Sequence, residues 1–132
     1  MFTLGVSDHV MIAHRILDPV FGPAQRLHGA TYAIELEVCV ESLSSHNVVM
    51  DIGRLRQMLR EVLDEFDYSN LDDHPAFAGK VSTTERVAEH VANRIAYRLE
   101  ALPVDERPNP GGKLHVTLRE SPVAYAAYER RF

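Results

Sequence analysis

Seven histidines stand against a single cysteine in this 132-residue chain, which turns attention to imidazole chemistry: metal ligation and proton transfer near neutral pH. Side chains two apart on a strand share a face, so a polar residue that ends an apolar row is marked by parity alone. Three rows end this way: Val10, Ile12, His14; then, read backwards, Ile34, Tyr32, Ala30, His28; then Leu114, Val116, Leu118, Glu120. An imidazole or carboxylate so placed is partly withdrawn from water and needs a partner, and such groups cluster at functional sites. The competing reading is three strand-end residues facing solvent or satisfied by nearby backbone, and a bulge would shift every assignment beyond it. His9 and His115 fall on the polar parity, His90 lies in a helical segment, and His46 and His74 fall in loops, so each reads as solvated. Cys39 sits mid-strand, away from the ends where the polar rows meet, and is not read as a nucleophile.

The elements that must position these groups follow from periodicity. Thr3 to His14 and Thr31 to Val40 alternate apolar and polar residues and read as half-buried strands, separated by a turn-rich stretch with Pro19, Gly22 and Pro23. Gly53 to Phe66 carries Leu55, Met58, Leu59, Val62, Leu63 and Phe66 at helical spacing, with Asp51 as its cap. A second helix opens on the capping-box pattern Ser82-Thr83-Thr84-Glu85, buries Val87, Val91, Ile95 and Leu99, and stops before Pro103. A Pro/Gly-rich connector leads to a strand through Leu114, Val116 and Leu118, and a last strand runs from about Val123 to Glu129. The order β-β-α-α-β-β predicts an α+β fold: a four-stranded antiparallel sheet with two helices on one face.

Length and composition bound the rest. A chain of this size suits one domain over residues 1–132 with one core. A lone cysteine excludes a disulfide scaffold and a CxxC zinc ribbon, and points to a reducing, cytoplasmic setting. A net charge of -5 without a Lys/Arg cluster leaves no electrostatic footprint for nucleic acid. No run has the apolar length of a membrane span, and the first residues lack a signal peptide's apolar core. Glycine-rich nucleotide loops, HExxH and GxSxG are all absent from the sequence.

The fragments Ala13-His14-Arg15, Leu27-His28-Gly29, Val49-Met50-Asp51-Ile52, Asp67 with Leu71, Thr83-Thr84-Glu85 and Arg119-Glu120-Ser121 resemble, in order and spacing, the 6-pyruvoyl-tetrahydropterin synthase and 6-carboxytetrahydropterin synthase family. The resemblance covers nearly the whole chain. It implies the tunnelling fold, in which subunits join their sheets into a barrel, commonly a hexamer, with sites at subunit interfaces. It also implies a pterin ligand, in particular 7,8-dihydroneopterin triphosphate or a relative, and lyase-type chemistry that removes triphosphate and rearranges the side chain.

Carried over residue by residue, the family's zinc would be held by His14 and His28, but its third histidine falls on Ala30. Two imidazoles make a poor zinc site unless a carboxylate, a water or a neighbouring subunit completes it. The catalytic cysteine falls on Ala24, followed by the non-titrating amide Gln25, and the family's Asp-His relay reads Asp67-Tyr68. Asp67 and Tyr68 are therefore the candidate proton-transfer residues, although a tyrosine titrating near ~10 is a poor base at neutral pH unless strongly shifted. The glutamate that grips the pterin's 2-amino and ring N–H edge falls on Glu120, with Thr83 as a further contact whose simpler role is capping. Asp51 and Glu85 match family positions that capping already explains. Two functions stay open: a synthase with a remodelled active site, and a non-catalytic oligomer that binds a pterin or purine.

Overall fold

The computed structural model describes all residues, 1–132. Two long strands, β1 (Phe2–His14) and β2 (His28–Val40), form an unbroken antiparallel ladder from Phe2 opposite Val40 to His14 opposite His28. Their alternation is why the ladder stays in register: a slip of one residue would turn Val10, Ile34 and Leu36 out to water. β4 (Lys113–Ser121) pairs antiparallel with β2, and β5 (Ala124–Arg131) closes a hairpin on β4.

The helices α1 (Ile52–Asp64) and α2 (Thr84–Ala101) lie on one face of this sheet. α1 buries Leu55, Met58, Leu59, Val62 and Leu63, and the Asp51 carboxylate caps it by accepting from Arg54 N–H at 2.6 Å. α2 buries Val87, Val91, Ile95 and Leu99 against Leu114, Val116 and Leu118 of β4. Each fully buried aliphatic side chain of this kind stabilises the fold by about 1.5–3 kcal/mol.

The sheet has five strands, not four. A two-residue strand, β3 (Ser69–Asn70), pairs parallel with Ile12 and Ala13 at the edge of β1, giving the order β3-β1-β2-β4-β5. A segment of two residues has no period to detect, so the β-β-α-α-β-β reading passes over it. The chain just before it is pinned by Asp67. One carboxylate oxygen accepts from Met11 N–H at 2.9 Å and Tyr68 N–H at 3.0 Å, and the other accepts from Arg60 at 2.8 Å. The same guanidinium reaches Asp8 at 3.0 Å and Asp64 at 2.9 Å, fastening the end of α1 to β1.

Other boundaries differ modestly. β2 starts at His28, so the pairing runs through the glycine and alanine that follow it, and β5 extends to Arg131. Cys39 is the next-to-last residue of β2 rather than mid-strand; it is buried and 3.4 Å from the Thr3 hydroxyl. The sheet face away from the helices carries a charged lattice, with Glu35 3.4 Å from Arg119 and Lys113 2.8 Å from Glu129. At its far end the backbone of Gly112 packs directly against the Cys39 carbonyl, leaving no room for a Cβ.

Candidate functional site

The last rung of the β1–β2 ladder brings His14 and His28 face to face. Their ring centroids are 4.6 Å apart in an edge-on arrangement. His14 is buried, with its Nδ1 3.1 Å from the carbonyl oxygen and 3.1 Å from the hydroxyl of Ser82. His28 is half-buried, with its Nδ1 2.8 Å from the Arg26 carbonyl. A carbonyl oxygen only accepts, so each ring donates through Nδ1, and the neutral form of each then carries its lone pair on Nε2. Burial is the main cause that holds the His14 pKa below the ordinary histidine value, and the neighbouring His28 adds to it.

Glu120 reaches the same end of the sheet from β4. The β4–β5 register shifts between Arg119 and Ser121, which makes Glu120 the irregular position. Bulges commonly re-aim a side chain in this way. Its Oε1 accepts a hydrogen bond from the Thr84 hydroxyl, although the residue as a whole is exposed. Thr84 is the first residue of α2, and the buried Tyr32 lies beside it. Burial pushes the Tyr32 pKa up to about 12, so this phenol stays protonated at neutral pH.

The start of α2 explains which hydroxyl goes where. The cap is Thr83, whose Oγ1 accepts from Arg86 N–H at 3.4 Å, one residue later than the capping-box reading places it. Ser82 is thereby released to His14, and Thr84 to Glu120. The structure thus gathers His14, His28 and Glu120 at one end of the sheet and adds Ser82, Thr84 and Tyr32. Tyr32 shares the parity row of His28, a signal present in the sequence. The division of labour among Ser82, Thr83 and Thr84 depends on a one-residue choice of cap.

Asp67 and Tyr68 stand at the β1 edge. Both oxygens of Asp67 are engaged as described, and its side chain is 16% exposed. Tyr68 is 79% exposed and takes a left-handed backbone with φ 55°, its N–H donating to Met11 O at 2.7 Å. For a bulky residue this conformation costs of order 1–2 kcal/mol and is common where function imposes it. Ala24 lies in a 3-10 stretch, Pro19–Gln25, within the loop between β1 and β2, and Gln25 donates to Gly22 O at 3.1 Å.

The zinc implied by the family resemblance can be tested against this geometry. The residue that follows His28 on its own face is Ala30, opposite Ile12, and both are apolar. Of the nearby carboxylates, Asp72 accepts from Arg15 N–H at 3.0 Å and Glu120 accepts from Thr84. No group of three His, Cys, Asp or Glu residues is placed to hold a metal ion. The residues of a single chain therefore do not fit a three-ligand zinc centre.

Two further features lie outside this cluster. His90, expected to be solvated, packs edge-on against Phe66, Phe77 and His74, with its Nε2 buried and without a partner. Its half-buried helical position faces a hydrophobic turn that periodicity alone does not reveal. A cleft of about 1100 Å³ lies at the opposite end of β1, between Phe2, Leu43, Val49, Ile52, Arg54 and Arg107. No helix is long and apolar enough to cross a membrane.

Comparison with known proteins places this geometry in context. The family model described as 6-pyruvoyl tetrahydropterin synthase matches residues 3–131. The chain is similar to 6-carboxy-5,6,7,8-tetrahydropterin synthase of Bacillus subtilis, 26% identical over 131 residues that cover 96% of this chain and 84% of the relative. It is also similar to 6-pyruvoyl tetrahydrobiopterin synthase of Poecilia reticulata, 35% identical over 95 residues, covering 70% of this chain and 65% of the relative. Among solved structures, the Caenorhabditis elegans 6-pyruvoyl tetrahydropterin synthase superposes with a TM-score of 0.78 at 22% identity, covering 98% of this chain and 95% of that one. The fold is therefore shared from end to end, with the extra strand β3 as a local addition to the expected sheet.

Proposed function

The chain belongs to the 6-pyruvoyl tetrahydropterin synthase family, and from that premise we propose that it takes a pterin as ligand, acting on 7,8-dihydroneopterin triphosphate or a related pterin through a remodelled active site. The observation that carries the reading is the Glu120 carboxylate, aimed by a bulge, steadied by the Thr84 hydroxyl, and set at the same strand ends as two imidazoles. A carboxylate offers two acceptor oxygens in one plane, the complement of a heterocycle edge that carries an amino group beside a ring N–H. Thr84 donates to one oxygen and fixes the carboxylate's rotation, and Tyr32 behind it cannot compete as a charge. Thr83 contributes by capping α2 and so placing Thr84.

In this reading the protein works as a homo-oligomer, a hexamer by family resemblance, and a neighbouring copy would supply the remaining wall of the site. Tyr68, exposed and held in a left-handed conformation, is the side chain at the β1 edge that is free to act outside its own chain. Asp67 acts on it through the backbone, by fixing the turn that presents it. Any proton transfer would then fall to Tyr68 or to groups of a second copy.

A second reading has its own support. Alanine stands at 24 and 30, and the Asp67 oxygens are occupied by Arg60 and two backbone donors, so the chain also fits a protein that binds a pterin or purine without transforming it. One experiment separates them. The purified protein is incubated with 7,8-dihydroneopterin triphosphate, product is followed by chromatography, and binding of neopterin is measured by calorimetry for wild type and Glu120→Gln. Turnover supports the synthase reading, and binding without turnover supports the second. Neopterin binding of equal strength in wild type and Glu120→Gln removes Glu120 as the anchor and overturns both.

A further inference from the structure

The two strand-end imidazoles are prepared for a ligand, yet the residues around them do not make a metal centre. We infer that His14 and His28 form a metal-free acceptor pair that receives ligand O–H or N–H groups directly, and that the alanine at position 30 is what sets them to this use.

The pair is built rather than incidental. The two residues face each other on one rung, and each Nδ1–H is committed to a carbonyl: Ser82 O at 3.1 Å for His14 and Arg26 O at 2.8 Å for His28. Fixing the tautomer in this way leaves both Nε2 lone pairs for something outside the ring. Metal ions and hydrogen-bond donors both use such lone pairs, so the tautomer alone does not choose between them.

The third donor chooses. A zinc site needs at least three protein ligands, tetrahedrally disposed, whether its fourth position is closed or open. His28 and the residue two along share a face of β2, and that residue is Ala30, in contact with the core and opposite Ile12. Ser82 is turned to His14, and the carboxylates at this end, Asp72 and Glu120, are directed to Arg15 N–H and to Thr84 rather than onto the two rings. No third His, Cys, Asp or Glu converges on the two rings. What remains is a pair of adjacent acceptors, which suits a ligand carrying hydroxyl or amino donors and leaves a divalent cation under-coordinated.

The metal half of this inference stands on these residues alone; the ligand half rests on the pterin reading above. The protein is expressed with added zinc, dialysed at neutral pH, and its metal content measured by mass spectrometry. Wild type is expected to hold less than ~0.1 zinc per chain, and Ala30→His, which restores a third imidazole on the same face, about one per chain. Cobalt added to Ala30→His should give the visible bands of a tetrahedral site, absent from wild type and from the His14→Ala/Ala30→His double variant. Neopterin binding to wild type should be unchanged by a chelator and weakened about tenfold or more by His28→Leu.

About one zinc per wild-type chain after dialysis would overturn the inference, and so would neopterin binding that a chelator abolishes. If Ala30→His fails to fold, the wild-type metal content still decides. If neopterin binds none of these forms, the pterin reading and the ligand half fall together, while the zinc measurement continues to decide the metal half.

Discussion

Replacing Asp67 with alanine separates a structural carboxylate from a reactive one. Its oxygens accept from Met11 N–H at 2.9 Å, Tyr68 N–H at 3.0 Å and the Arg60 guanidinium at 2.8 Å. Tyr68 N–H keeps a second acceptor in Met11 O at 2.7 Å, and Arg60 keeps Asp8 and Asp64, so these two groups are not stranded. Met11 N–H is left without its partner. A hydrogen bond to a charged group contributes about 1.5–3 kcal/mol. The Arg60 side chain is about a third exposed, so its pairing is discounted toward the about 1 kcal/mol of a surface ion pair. The loss for Asp67→Ala comes to about 3 kcal/mol, and for Asp67→Asn, which keeps an acceptor for the backbone donors, about 1 kcal/mol. Urea unfolding followed by circular dichroism, at one fixed protein concentration, measures both, and the alanine variant should melt roughly 10 °C lower. Stability within about 0.5 kcal/mol of wild type for Asp67→Ala would refute the reasoning, since a carboxylate that costs nothing to remove is not holding the turn.

Thr84→Val should weaken neopterin binding about fivefold to tenfold by calorimetry with little change in melting temperature, since it removes a hydrogen bond from Glu120 while keeping the buried shape. His90→Phe should raise stability by about 1 kcal/mol at neutral pH in urea titrations, because it fills the same aromatic contacts and removes a buried Nε2 without a partner. The pH dependence of the same variant has a definite sign. Burial, followed by the charge of His74 and opposed by Glu65, holds His90 below the ordinary histidine pKa, with Arg94 and Lys80 adding to the lowering. The unfolded chain therefore binds more protons than the folded one as pH falls below ~6.5, so wild type loses stability on acidification toward the folded pKa, and His90→Phe should flatten that slope. Gly112→Ala should destabilise by about 1–3 kcal/mol or prevent soluble expression, because its Cβ would collide with the Cys39 carbonyl and press on the Phe132 ring.

The three polar residues that end apolar rows were legible because β1 and β2 run regularly to their last rung, so parity propagates over the full length of each strand. Glu120 sits at an irregularity, the situation in which parity fails for residues further on; parity still holds up to Glu120 because it is the irregular residue itself. The roles of Ser82 and Thr84 were hidden by a local ambiguity. Serine and threonine cap helices with similar strength, and moving the cap from Ser82 to Thr83 reassigns all three hydroxyls. β3 and the Asp67–Arg60 knot were out of reach for a different reason, since both join segments more than fifty residues apart through side chains and two-residue contacts that carry no periodic signal. The solvated reading of His90 fails because a helix face looks polar or apolar only once the turn packed against it is known, and here Phe66 and Phe77 cover it.

The backbone at Tyr68 has a consequence for anyone who engineers this protein. A left-handed φ of 55° is easy for glycine or asparagine and costly for tyrosine, while the ring, 79% exposed, recovers almost nothing by burial. Selection for thermal stability alone would therefore replace this residue early, with a gain of about 1 kcal/mol and no visible damage to the fold. Position 68 is where a stabilising screen and an activity screen should disagree most sharply, and a library scored on both would map the working edge of the molecule without any knowledge of its ligand.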